Sequence, residues 1–259
     1  MKKTVAMLIA VMMLLCFAGC GAKDADSDLA YIRDKGKLIV GITDYAPMDF
    51  LDENGQWTGF DAEFARLVAK ELGVEVEFFV IADWGKKVFE LDSKNIDCIW
   101  NGMTINEELL NTTSVSDPYV INAQVVVMKA DQIGNYPDAA SLAGLTVAVE
   151  SGSAGQEAAK AAGITDIVEV QYQSNALMEV AAGTANACVI DITMALNMTG
   201  EGTSYENLAV GPTLTSEEYG IGFRKGSDVT AKVNEIMAKL MADGTLQALA
   251  DKYNLTLAK

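Results

Sequence analysis

The chain is expected to fold as two α/β units, on three observations. Short β-rich runs alternate with helical stretches from Gly36 to Gly102; a polar segment, ADQIGNYPDAASLAG, interrupts them after AQVVVMK; and the alternation then restarts with LTVAVESG and QEAAKAAG. Strand-length apolar runs separated by amphipathic helices signal sheets covered by helices. With 50% of its residues apolar, the chain is rich enough to fill such cores.

The first element is a leader. Met1, Lys2 and Lys3 precede an uncharged apolar run from Val5 to Ala18, too short to span a bilayer, which marks residues 1–19 as an export signal. Phe17-Ala18-Gly19-Cys20-Gly21 sets small residues before a cysteine, the pattern in which Cys20 becomes a lipidated N-terminus, with Phe17 standing where leucine is usual. Residues 20–28, containing KDADSD, have nothing to bury and form a tether, so folding begins near Leu29.

KLIVGIT is then a strand, and LDENGQWTG a hairpin in which Asn54-Gly55 supplies the positive φ angles of a tight turn. Asp61 to Leu72 places Phe64, Leu67, Val68 and Leu72 on one face and Glu63, Arg66, Lys70 and Glu71 on the other, and Gly73 ends it. VEVEFFVI, a helix around Lys86 to Ser93, and IDCIWNG complete the first unit. The second continues with IVEVQY, NALMEVAAG and NACVIDITMAL, and the units rhyme where helices lead into NIDCIWNG and TANACVID. EYGIGFRKGS is a further strand, followed by helices in VNEIMAKLMADG and LQALADKYN.

Charge excludes some functions. Nineteen basic against 36 acidic residues leave a net charge of −17, and loss of Lys2 and Lys3 with the leader makes the mature chain more negative still. Nucleic acid is not an expected partner, and attachment to an anionic membrane would need the lipid. Cys98 and Cys188, both in apolar strand-like segments, read as buried small hydrophobes and not as a bridge. With no histidine, no nucleophile elbow, no metal-ligand spacing and no nucleotide fingerprint, neither an enzyme nor a cofactor or metal site is expected.

LIVGITDYAPMDF, ENGQWTGFDAEFARLVAKELG, KNIDCIWNGMTINEE, SDPYVINAQVVV, LTVAVESGSAGQEA, EYGIGFRKGS and MADGTLQALADKYN, in this order, resemble the extracellular solute-binding proteins of family 3, the polar amino-acid uptake type. The resemblance implies a periplasmic-binding-protein-like α/β fold of two lobes joined by a two-crossing hinge. Lobe 1 would hold residues 29–126 and 217–259, and lobe 2 residues 127–216. It further implies a monomeric, extracytoplasmic substrate-binding lipoprotein of an ABC importer, partnered by a permease and an ATPase and anchored to the membrane through its lipid. Such a protein captures an amino acid or related small amine in the interlobe cleft; the alternative is a ligand-sensing protein serving a membrane receptor. A rare dehydratase activity is also known on this fold.

By the same resemblance Tyr45 stacks on the ligand, Asn101, Gly102, Met103 and Thr104 form a wall around its amino-acid head, and Asp191 takes its ammonium. Ser153, Ala154 and Gly155 open a helix whose free N–H groups suit a carboxylate. The competing reading for Tyr45 is a core aromatic. The family's carboxylate-pairing arginine, five residues after Thr104, is replaced by Leu109, and the hydroxyl usual at Ala154 is gone. Arg33 precedes the expected fold, Arg66 faces outward and Arg224 aligns outside the pocket. Burying a carboxylate without a partner costs on the order of several kcal/mol, so either main-chain N–H groups with Thr104 and Ser153 hold it, or the ligand is an amine or other cation. The residues lean to the cation: Asp49 and Trp100 would add acidic and aromatic character to the cleft, the competing reading for Trp100 being a core side chain.

Overall fold

The computed structural model describes residues 27–259. The leader, Cys20 and most of the expected tether lie outside the described residues. The first helix, α1 (Asp28–Lys35), is capped at Ser27, whose hydroxyl oxygen accepts the Ala30 N–H, and stops at Gly36 in the left-handed region. Arg33 therefore belongs to the fold, on the exposed face of this helix, and does not precede it. The signal was local: a serine cap, an acid in the first turn and Arg33 and Lys35 in the last.

Strand β1 (Lys37–Ile42) leads to the short ribbon β2 (Phe50–Leu51) and β3 (Trp57–Thr58). Its loop is looser than a two-residue turn. Of the expected Asn54-Gly55 pair only Gly55 has positive φ, because Asp52 Oδ1 accepts the N–H groups of both Asn54 and Gln56. Helix α2 (Phe60–Leu72) buries Phe64, Val68 and Leu72, exposes Arg66 and ends at Gly73. Strand β4 (Glu75–Val80), a 3-10 turn at Trp84–Lys86 running into helix α3 (Lys87–Asp92), strand β5 (Cys98–Ile99), helix α4 (Glu107–Thr112) and strand β6 (Thr113–Val115) follow.

The other half holds β7 (Val120–Lys129), β8 (Thr146–Glu150), α5 (Ala154–Ala161), β9 (Asp166–Val170), α6 (Gln173–Ala182), β10 (Ala187–Asp191), α7 (Ile192–Met198) and β11 (Leu208–Tyr219). The chain then returns as β12 (Gly222–Arg224), α8 (Val229–Ala242) and α9 (Thr245–Lys252).

Two five-stranded sheets result, ordered β4-β1-β5-β12-β6 and β11-β7-β10-β8-β9. Strand β7 lies wholly in the second sheet, its Gln124 opposite Asp191 and its Val120 opposite Tyr219. The chain thus passes from the first sheet to the second between β6 and β7, at residues 116–119, and back between β11 and β12, at residues 220–221. The C-terminus braces this region, Ile121 N–H donating to the Thr256 carbonyl and Ala258 N–H to that of Tyr119. Cys98 and Cys188 are buried free thiols in separate sheets. Arg224 clasps the first lobe together, its guanidinium bonding both Asp28 oxygens at 3.0 Å, the Ile96 carbonyl at 2.8 Å and Asp97 at 3.4 Å. Among the described residues no helix is long and apolar enough to cross a membrane.

Candidate functional site

Both sheets aim strand ends at one cavity. From the first lobe it is lined by Trp84, Lys87, Leu109 and the wall Asn101–Thr104; from the second by Gln124, Glu150, Gly152–Ala154, Gln173 and Asp191. The lobes touch on either side of it. On one flank the Tyr45 hydroxyl is 2.5 Å from those of Thr193 and Tyr219. On the other, Lys87 Nζ donates to the Gly152 carbonyl at 3.2 Å and Gln171 Nε2 to that of Ala82 at 3.0 Å.

Asp191 lines this cavity from the second lobe. It ends β10, is 3% exposed, and accepts amide donors from Asn122, Gln124 and Gln173, while its own N–H donates to Gln173 Oε1. Burial, reinforced by Glu217, pushes its carboxyl up to about 7 against the pull of those amides. Glu150, at the end of β8, has no side-chain hydrogen bond among the described residues, and burial followed by the nearness of Asp191 raises it to about 8. Two desolvated carboxyls facing one cavity favour an incoming cation, which relieves both at once.

The wall residues are present but largely committed. Asn101 donates to Thr43 Oγ1 and accepts the Thr43 N–H, pinning the end of β1. The Gly102 N–H donates to Asp61 at 2.6 Å, and with φ +58 a Cβ there would lie 2.7 Å from the Tyr45 ring, so only glycine fits. Thr104 donates its hydroxyl to Glu217. Met103 is buried against Gly222. On the facing lobe Ser153 caps α5 by accepting the Gln156 N–H, which leaves the first-turn N–H groups of Ala154 and Gly155 unused by the helix.

Four expected residues do not line the cavity. Trp100 is fully buried with its ring edge-on to Phe64 at 4.8 Å; side chains alternate along a strand, and with Asn101 facing the cleft Trp100 must face the core. Asp49 is also fully buried, its two oxygens without a hydrogen-bond partner among the described residues, and burial and the neighbouring Asp61 raise its carboxyl. Tyr45, 2% exposed, spends its hydroxyl on the contact with Thr193 across the lobes, and Gly155 lies under the helix start, where a Cβ would meet the Val189 carbonyl at 2.8 Å.

The match to the bacterial extracellular solute-binding proteins, family 3, runs over residues 38–256. The chain belongs to that family. As a solute-binding protein it is 32% identical over 253 residues to the L-cystine-binding protein TcyJ of Escherichia coli (strain K12), covering 95% of this chain and 94% of that one. A mutant of ArgBP from T. maritima superposes with a TM-score of 0.81 at 31% identity, covering 87% of this chain and 98% of that one. The ancestral amino acid-binding protein AncCDT-1, a precursor of cyclohexadienyl dehydratase, gives 0.80 at 33% identity, with 88% and 99% covered. The fold is thus of the periplasmic amino-acid-binding type.

Sequence reasoning missed several lining groups of this solute-binding protein. Gln124 and Gln173 had a readable signal, polar residues facing Asp191 from otherwise apolar or helical runs; Glu150, closing the strand TVAVE, had the same position in its strand as Asp191 in ACVID. Lys87 carries no such signal, since it stands beside a second lysine at the start of a short helix.

Proposed function

We propose that this protein is the ligand-capturing lipoprotein of an ABC importer, held outside the cytoplasm by a lipid on Cys20, and that it closes on an amino acid or related small amine. The carrying observation is Asp191: a buried carboxylate fixed by three amides at the edge of the interlobe cavity, with Glu150 beside it. An ammonium group there replaces its lost water with charge-assisted hydrogen bonds and neutralises a site otherwise rich in acid, since Glu108 and Glu157 line the same cavity. Hinge closure over two crossings then sequesters the ligand; periplasmic binding proteins are a stock example of such closure.

A thermal-shift screen of the lipid-free protein, starting at Ala22, against amino acids, their decarboxylated amines, polyamines and quaternary ammonium compounds tests this reading. A specific ligand raises the melting temperature by mass action. Stabilisation by a small amine-bearing solute, lost in Asp191→Asn, is expected; stabilisation only by uncharged or anionic solutes would refute it.

A further inference from the structure

The guanidinium missing at position 109 leaves its place to an apolar contact. Leu109 is 4% exposed and packs in a cluster with Trp84 and Met103. Over that same indole ring, 5.0 Å from its centroid, sits the ammonium of Lys87, contributed by α3 in place of α4. Among the described residues Lys87 is the one cationic side chain lining the cavity. Its Nζ donates to two neutral acceptors, the Trp84 and Gly152 carbonyls at 3.3 and 3.2 Å, and among the described residues no carboxylate lies within ion-pair distance of it. An ammonium has three donors, so one remains. Burial lowers its pKa, against the longer-range attraction of Glu108, Glu150 and Glu157. A desolvated cation without a counter-ion costs free energy that an anion arriving in the cavity relieves.

We propose that Lys87 takes over the role of the absent arginine: it anchors the carboxylate of an α-amino-acid ligand, beside the first-turn N–H groups of α5, while Asp191 holds the ammonium. This deepens the amine-capture reading and rests on it. The site then selects for a ligand carrying both charges over its decarboxylated counterpart.

Titration calorimetry of the mature protein with matched pairs decides the matter: L-arginine and agmatine, L-lysine and cadaverine, L-cystine and cystamine. For the pair that binds, the amino acid is expected to bind about 30-fold or more tightly than the amine, as removal of one partner from a buried charge pair implies. Lys87→Met, which keeps the apolar contact with Trp84, should abolish most of that preference, and Lys87→Arg should retain it. An amine that binds wild type as tightly as its amino acid overturns the anchor but leaves amine capture standing. A Lys87→Met protein that weakens both members by one factor also overturns it, because Lys87 is then only a latch between lobes. Binding by no compound that carries an amino group, amino acid and amine alike, removes the reading beneath it and the anchor together.

Discussion

Gly152 meets Gly85 across the lobe seam, and alanine at Gly152 should prevent full closure. A Cβ there would sit 2.5 Å from Gly85 Cα and 2.8 Å from its N. Non-bonded carbons rest at about 3.5–4.0 Å, so the lobes must stop roughly 1 Å short. Gly152 also has φ +72, and left-handed backbone costs alanine roughly 1–2 kcal/mol. That cost is common to open and closed forms and leaves affinity untouched, whereas the clash exists only on closure. Forcing an extra methyl into packed surroundings costs about 1–3 kcal/mol, or about 5- to 150-fold in Kd. Gly144→Ala is the matched control, since Gly144 has φ +83 and nothing within 4 Å of its Cβ position. Calorimetry with the strongest ligand of the screen should show weakened binding in Gly152→Ala alone, while thermal melts show both variants lowered. Equal affinities for the two variants would refute a seam that closes by backbone contact.

Asp191→Asn should weaken amine binding about 30-fold or more by calorimetry without lowering ligand-free stability at pH 8, because it deletes a buried charge. Glu150 and Asp191 are raised from 4.5 and 3.8 to about 8 and about 7, so the folded state holds protons that the unfolded state releases. Their contribution is fully present below the unfolded values and is lost as pH rises through the folded ones. Ligand-free melting temperature should therefore fall from about pH 5 to about pH 8, with Glu150→Gln flattening the slope; a profile unchanged by Glu150→Gln would contradict this. Arg224→Met should cost roughly 1–3 kcal/mol in denaturant titration, because Asp28 and the Leu91 and Ile96 carbonyls lose their donor while Asp97 keeps Lys35, yet leave Kd within about twofold. Thiol reagents should modify Cys98 and Cys188 only after denaturation, since burial shields both and raises both thiols.

The alternation of strands and helices was legible because it needs only local periodicity: the buried face of α2 and its Gly73 stop follow from spacing alone. The crossings were not. Residues 120–129 are nearly all buried, so the strand has no polar face to show which sheet it joins. Asp191 could be read as a strand-end acid, but which of its neighbours hold it depends on the register of β10 against β7, a long-range fact. The burial of Trp100 and Asp49 away from the cavity is not legible, because neither the strand end nor the loop before β2 offers a parity rule. Lys87, in KKVFELD, has the pattern of a solvent-facing helical lysine, and only the packing of Trp84 against Leu109 turns it inward.

The start of α1 is fastened to the start of α8, far along the chain: the Ser27 hydroxyl and the Leu29 N–H both donate to Asp228, and Arg224 holds Asp28. The start of the described chain therefore belongs to the first lobe, while among the described residues the covalent links to the other lobe are the two crossings, with residues 256–258 bonded to β7 beside them. In mechanical terms the first lobe is a fixed jaw and the second a moving one. If the protein is held through a lipid on Cys20, as proposed, the load falls on the fixed jaw and does no work against closure of the moving one.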